Sequence, residues 1–291
     1  MITRQNLMKV NQIQGSAEYA LGYKVIMCDL WGVIHNGKNL FQHSISFLER
    51  MKENNIKVIF LSNAPRPNYV VEDGLNKKLG LNKDLYDGII TSGDVSCEQI
   101  NKKIHGESYF HLGPSKDFDL LERISIQRKD ISTDFDFILC TGLLDDEIEQ
   151  PETYKDQFEN FINKNLKLIC ANPDEIVYRG DKMISCAGGM AKYYSSLGGD
   201  IKSYGKPHQE IYECAFNIIK KKGMCESKSE ILAIGDSIKT DIYGAEKFGI
   251  DSILIQDGIH KEAIKGEEDI MNLVKEFLDI DLQEIVTIKH L

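Results

Sequence analysis

No apolar run in these 291 residues approaches the length of a membrane span, and Met1 to Tyr19 is polar, without the apolar segment of a secretory signal. A basic footprint is missing too. With 35 Lys and Arg against 45 Asp and Glu, the formal net charge is −10, and no stretch of Lys and Arg forms a local exception, so nucleic acid is not an expected partner. There is no Cys-x-x-Cys pair. The seven cysteines (Cys28, Cys97, Cys140, Cys170, Cys186, Cys214 and Cys225) are odd in number in a chain that is not small, which argues against a disulfide frame or a zinc site and for reduced thiols. Internal repeats, low-complexity segments and long linkers are absent as well. These absences leave a globular protein expected in the cytoplasm, without a membrane partner. The length is enough for one domain plus an insert, and 42% hydrophobic with 27% charged residues is ordinary for such a protein.

What is present is a rhythm of short apolar runs alternating with amphipathic stretches. Lys24 to Asp29, Ile56 to Leu61 and Gly88 to Thr91 read as strands. Between them, His43 to Asn54 reads as a helix with Ile45, Phe47, Leu48 and Met51 on one face. Pro67 to Leu79 reads as another, with Pro67 in its first turn. This βαβα order points to a parallel sheet covered on both faces. Later come strands at Ser108 to Leu112, Asp136 to Thr141 and Leu166 to Ala171, with a helix over Pro151 to Asn163. Near the end, Glu230 to Ile234 and Ser252 to Ile255 read as strands around a helix from Thr240 to Phe248, which Gly249 stops. Lys261 to Leu278 reads as a helix, and the alternation of Ile285, Val286 and Ile288 suggests an edge strand.

Four segments at strand ends or helix starts could carry chemistry, because ligands of open parallel sheets bind at that edge. In Cys28-Asp29-Leu30-Trp31-Gly32-Val33, Asp29 is placed as a nucleophile or metal ligand, or as the cap of a turn. In Leu61-Ser62-Asn63-Ala64-Pro65-Arg66, a hydroxyl and an amide can bond an anionic oxygen, or simply fill a polar loop. In Tyr204-Gly205-Lys206-Pro207, an ammonium sits at a helix N-terminus. Dipole logic favours that only if an anion lies between, and a plain exposed lysine is the alternative. In Ile234-Gly235-Asp236-Ser237-Ile238-Lys239-Thr240-Asp241, two carboxylates can hold a hard divalent cation, one directly and one through water. Thr240 is also a candidate helix cap. An acidic chain that handles phosphates must bring positive charge locally, by a metal ion or placed lysines.

Taken together and in this order, the four segments resemble the motifs of the haloacid dehalogenase-like superfamily, and within it the class IIA members, the NagD-like and p-nitrophenyl-phosphatase-like group. The resemblance covers nearly the whole chain. It implies an α/β fold: a Rossmann-like parallel-sheet core over residues 1–94 and 199–291, with an inserted α/β cap domain over 95–198. It implies a Mg²⁺-dependent phosphatase of small phosphorylated metabolites that works through an aspartyl-phosphate on Asp29. By the same resemblance, Ser62, Asn63 and Lys206 hold the phosphoryl group, and Lys206 neutralises charge on it and on Asp29. Asp29, the backbone carbonyl of Trp31, Asp236 and Asp241 make the Mg²⁺ site. Asn172-Pro173-Asp174 and Cys186-Ala187-Gly188-Gly189-Met190 resemble cap segments that face substrate, which makes Asn172 and Asp174 substrate-binding candidates. Relatives of this class often pair through the cap, so a homodimer is among the expectations.

One position departs from the pattern. Most phosphatases of this superfamily carry a second Asp two residues after the nucleophile, as acid and base; this chain has Trp31. The metal contact survives, being a backbone carbonyl, but an indole N–H is no proton shuttle at neutral pH. General acid–base catalysis is worth about 10²–10⁴-fold, so substrates with good leaving groups would suffer least from its loss. His35 is a candidate substitute, and a histidine with no catalytic role is the alternative. Trp31 could also stack on a flat substrate. The competing function is a catalytically weak phosphate-ligand-binding or regulatory protein on the same scaffold. A receiver-type module also uses an aspartyl-phosphate, but it is much shorter and lacks a cap.

Overall fold

The computed structural model describes residues 8–278 and 282–291 of the chain. These divide into two compact units: one of Met1–Leu61, Gly80–Gly88 and Ala215–Leu291, the other of Ser62–Leu79 and Ile89–Cys214.

The first unit is built on parallel strands. Across the sheet they run in the order Lys9–Gln12, Glu284–Ile288, Asp251–Ile255, Ile231–Gly235, Val25–Cys28, Lys57–Ser62. The two central strands, Val25–Cys28 and Ile231–Gly235, are buried at every residue. That is why they read as unbroken apolar runs, as strands covered on both faces do. From Val25–Cys28 the chain first adds Lys57–Ser62 on one side, and later returns to place Ile231–Gly235, Asp251–Ile255 and Glu284–Ile288 on the other. The strand order therefore reverses between Val25–Cys28 and Ile231–Gly235. In an open parallel sheet that reversal leaves a crevice at the C-terminal strand ends.

Helix Gln42–Glu53 buries Ser44, Phe47, Leu48 and Met51, close to the face expected from its spacing. Helix Glu267–Phe277 buries Ile270 and Val274 against Ile238, Ile242, Leu254 and Ile285. It is shorter than the expected Lys261 to Leu278. Gly266 sits at its N-cap, and the Asp269 carboxylate accepts from the N–H groups of Lys265 (2.8 Å) and Gly266 (3.0 Å), so the helix begins there.

The segment near the C-terminus is a strand, but not an edge. Glu284–Ile288 pairs on both sides, with Lys9–Gln12 and Asp251–Ile255. Its Thr287 hydroxyl is wholly buried and donates to the Leu254 carbonyl at 3.0 Å. The edge is Lys9–Gln12 instead, whose polar residues had given no strand signal.

The second unit has its own parallel sheet, in the order Ile201–Ser203, Lys167–Cys170, Phe137–Cys140, Ser108–Leu112, Gln127–Lys129. Phe158, Phe161, Met190 and Tyr194 from helices Lys155–Asn163 and Ala187–Ser196 pack with Ile138, Cys140, Leu168 and Cys170 in one core. An antiparallel hairpin, Ile176–Arg179 with Lys182–Ser185, lies outside that sheet and turns at Gly180, whose φ is +66°. The expected helix from Pro67 is α-helical only over Asn68–Asp73. It widens to a π-turn over Gly74–Lys78, starting where Gly74 weakens the helix, and Pro67 is its extended N-cap rather than a first-turn residue. Helix Ala187–Ser196 was hidden by Gly188 and Gly189, which are poor helix formers.

None of the seven cysteines is in a disulfide, and burial pushes the Cys170 thiol up to about 12. No helix among the described residues is long and apolar enough to cross a membrane.

The position of Glu284–Ile288 yields a stability prediction. Ile285→Ala should cost about 2–4 kcal/mol in urea unfolding, as for a methylene-rich core side chain. A dispensable edge strand would leave the unfolding midpoint nearly in place.

Candidate active site

The crevice at the strand reversal holds three carboxylates. Asp29 directly follows Val25–Cys28, and its N–H donates to the Ile234 carbonyl at 2.8 Å, so the sheet ladder continues up to it. Asp236 directly follows Ile231–Gly235, and its Oδ2 accepts from the Ile259 N–H at 2.7 Å. Asp241 lies in a π-turn over Ile238–Ile242, and its Oδ2 accepts from the Ser237 N–H at 3.1 Å. All three are buried, and each offers an oxygen within 4.8 Å of those of the other two.

Two unit charges at that distance repel by roughly 3.5 kcal/mol at an effective dielectric constant of about 20. Three such charges in one buried place call for a cation. An all-oxygen donor set fits a hard divalent ion such as Mg²⁺.

Glycines make the close approach possible. A Cβ on Gly32 or on Gly258 would overlap the Asp236 carboxylate, and one on Gly235 would overlap Asp241. Gly32 also has φ +85°, which L side chains rarely adopt. Gly258 and Ile259 were not anticipated. They follow the strand Asp251–Ile255, and the turn-like Asp257-Gly258 pair was the available signal. Ser237, and not Thr240, caps the turn: the Ser237 hydroxyl accepts from the Thr240 N–H at 3.3 Å, because the helix starts two residues earlier than its apolar spacing suggested. His260 supports the same turn by accepting the Ile238 N–H on Nε2 at 3.2 Å.

The loop after Asp29 closes on itself. Gly32 N–H donates to the His35 carbonyl, His35 N–H to the Leu30 carbonyl, and the Trp31 ring meets the His35 ring edge-on at 5.1 Å. A Cβ on Gly37 would collide with the indole, so the ring packs over that glycine. His35 is buried, which pushes its pKa down to about 4, and its Nδ1 accepts from the Gly37 N–H at 2.9 Å. At neutral pH it is an uncharged imidazole with one nitrogen taken by backbone, which suits a loop strut better than a proton donor.

The remaining candidates come together in the second unit. The buried Ser62 accepts on Oγ from the Ala64 N–H at 3.2 Å. Asn63 and Lys206 are both buried. The Lys206 N–H donates to Asn63 Oδ1 at 2.7 Å. Asn63 Nδ2 donates to the Lys206 carbonyl at 3.2 Å and to Asp174 Oδ1 at 2.8 Å. Asn172 turns the chain beside it, its Oδ1 accepting from the Asp174 N–H at 3.1 Å. The structure thus gathers Asp29, Trp31, Asp236 and Asp241 in one unit, and Ser62, Asn63, Asn172, Asp174 and Lys206 in the other.

Comparison with known proteins follows this geometry. A model of haloacid dehalogenase-like hydrolases matches residues 26–127, and a HAD-hydrolase-like model matches residues 203–277. A crystal structure of a haloacid dehalogenase-like hydrolase from Brucella suis 1330 is 34% identical, with a TM-score of 0.84 over 96% of this chain and 99% of that one. A possible sugar phosphatase from Cytophaga hutchinsonii superposes with a TM-score of 0.75 at 24% identity, over 94% of this chain and 97% of that one. The ribonucleotide monophosphatase NagD of Escherichia coli K12 is 20% identical across 81% of this chain and 88% of its own length.

The His35 environment gives a titration to check. Its folded pKa is depressed, so the stability tied to its neutral form is complete above the unfolded value of about 6.5 and is lost as pH falls through 6.5 toward 4. An NMR titration of the imidazole should show a midpoint near 4, and His35→Gln should flatten the pH dependence of unfolding within that window. A midpoint above 6 would refute the buried, neutral assignment.

Proposed function

Since the chain belongs to the haloacid dehalogenase-like family of hydrolases, we propose that it is a class IIA phosphatase, Mg²⁺-dependent and cytoplasmic, that hydrolyses a small phosphorylated metabolite through an aspartyl-phosphate on Asp29. The observation that carries this reading is the trio of buried carboxylates at the strand reversal. The relatives support its chemistry: one is named a ribonucleotide monophosphatase and another a possible sugar phosphatase. Residues 1–94 and 199–291 serve as the catalytic core and 95–198 as the cap.

In this reading Asp29, Asp236, Asp241 and the carbonyl of Trp31 hold Mg²⁺. When bound, the ion supplies positive charge against the phosphoryl oxygens. An Asp29 carboxylate oxygen attacks phosphorus in line, a new Asp29 O–P bond forms, and the bond to the leaving oxygen breaks. Water then attacks the acyl phosphate, releasing inorganic phosphate and restoring the Asp29 carboxylate. Ser62 and the backbone N–H of Asn63 hold phosphoryl oxygens, and the Lys206 ammonium balances their charge. The cap turn with Asn172 and Asp174 borders the substrate.

Trp31 sets the limit on this chemistry. With an indole where an acid–base carboxylate would stand, and His35 held neutral against Gly37, protonation of an alkoxide leaving group has no side chain assigned to it. Acyl phosphates and anhydrides, whose leaving groups need no proton, are the favoured substrates. The same feature supports the second reading, a phosphate-ligand binder with weak turnover.

A phosphate-release screen of sugar phosphates, nucleotides, pyridoxal phosphate, p-nitrophenyl phosphate and acetyl phosphate, with Mg²⁺ or chelator, tests both. Release should require Mg²⁺, be strongest with acetyl phosphate, and fall to background in Asp29→Asn. Trp31→Asp should raise turnover of phosphate esters by about 10²–10⁴-fold. Silence from the native chain with activity in Trp31→Asp favours the binding reading. Mg²⁺-dependent release persisting in Asp29→Asn would eliminate the assigned nucleophile.

A further inference from the structure

Asn63 and Lys206 are far apart in sequence, yet the Asn63 side chain treats the Lys206 backbone as a neighbouring strand would. Its Oδ1 accepts the Lys206 N–H at 2.7 Å, and its Nδ2 donates to the Lys206 carbonyl at 3.2 Å. The same Nδ2 donates its other hydrogen to Asp174 Oδ1 at 2.8 Å. An amide has two donors and one acceptor oxygen, so both of its N–H bonds are accounted for. All three residues belong to one compact unit.

The arrangement has a direction. Rotating the amide by half a turn would aim Oδ1 at the Asp174 carboxylate and Nδ2 at the Lys206 N–H, acceptor against acceptor and donor against donor. The Lys206 backbone and the Asp174 carboxylate therefore agree on which way the amide points, and the Asp174 bond is charge-assisted, of the stronger kind. Asp174 is itself built into place. Its N–H bonds Asn172 Oδ1, and its carbonyl accepts the Gly188 N–H at 3.1 Å. A Cβ on Gly188 would overlap the carbonyls of Pro173 and Asp174. Gly205 leaves room for the whole contact: a Cβ there would lie 2.6 Å from Ser92 Oγ and 2.8 Å from Pro173 Cδ, and would also strike Asn63 Oδ1. Four separate stretches of chain thus meet around one buried amide.

We propose that Asn63 is a positioning residue, whose side chain clamps the Lys206 backbone and makes the placement of Lys206 depend on the Asn172–Asp174 turn. This rests on the phosphatase reading, in which Lys206 balances phosphoryl charge. It adds to that reading by giving the Asn63 and Asp174 side chains a task other than touching substrate. A change at Asp174 then reaches the reaction through Asn63 and Lys206, and should alter turnover more than substrate affinity.

A charge swap tests the clamp. Asn63→Asp sets a carboxylate against Asp174 and should lower kcat about tenfold to hundredfold, with KM within about threefold. Asp174→Asn in the same chain restores a donor–acceptor pair at residue 174 but leaves a carboxylate oxygen facing the Lys206 carbonyl, so it should recover only part of that loss. A rise in KM with kcat preserved in Asn63→Asp overturns the proposal in favour of direct substrate contact. A second readout needs no turnover. The Lys206 amide proton, covered by Asn63 Oδ1, should exchange with solvent at least about tenfold faster in Asn63→Ala, and also in Asp174→Ala, which removes only one arm and is the milder variant. Melting temperatures recorded alongside show that each chain is folded. Unchanged exchange in a folded Asp174→Ala or Asn63→Ala chain overturns the clamp even if the native protein is an active phosphatase. If the native protein releases no phosphate, the phosphatase reading falls and the exchange rates alone decide the clamp.

Discussion

Mutual repulsion among the carboxylates of Asp29, Asp236 and Asp241 is the constraint around which the first unit is arranged. Each offers an oxygen within 4.8 Å of the others in a buried crevice, a grouping that folding alone would disfavour. It is held because each carboxylate stands at a point where the backbone has little freedom. Asp29 is locked into the ladder by its own N–H, and Asp236 and Asp241 accept backbone N–H groups from Ile259 and Ser237. The surrounding chain reads as support for that grouping. Gly32, Gly235 and Gly258 give up side chains so that backbone can pass against the carboxylates, and the helix after Asp236 starts as a π-turn that carries Asp241 back toward them.

On the proposed phosphatase reading, Trp31 in place of an acid leaves this electrostatic frame in place and removes a proton-transfer group. In that reading the two tasks separate because one uses a backbone carbonyl and the other a side chain. The indole is accommodated by Gly37 and by the His35 ring, and the cost is that His35 becomes a buried neutral strut. On the proposed phosphatase reading, charge neutralisation and proton transfer are separate tasks at this site, and a narrow choice of leaving group is the expected consequence.

Much of the fold is legible in the order of apolar and polar residues. Val25–Cys28 and Ile231–Gly235 announced themselves because both faces are covered and every residue is apolar or small. The Gln42–Glu53 helix declared its face through Phe47, Leu48 and Met51. Lys9–Gln12 was silent because an edge strand needs no apolar pattern, and Glu284–Ile288 was misplaced as an edge because a five-residue alternation does not reveal how many neighbours a strand has. Ala187–Ser196 was missed because its glycines serve the contact with the Asp174 turn and not the helix.

The order of residues along the chain already sets which types stand at strand ends and helix starts: the acids at 29, 236 and 241, the hydroxyl and amide at 62 and 63, the lysine at 206, and the indole at 31. These are local facts, written in the alternation of apolar runs and polar breaks. What each side chain faces depends on how those segments come together in space. That Asn63 bonds the Lys206 backbone and Asp174, that His35 is neutral, that Ser237 and not Thr240 caps the turn, and that Gly258 borders Asp236 all follow from contacts between segments distant in sequence. A hydrogen bond has direction and short range, so its partner is set by how strands and loops converge in space, which spacing along the chain does not encode.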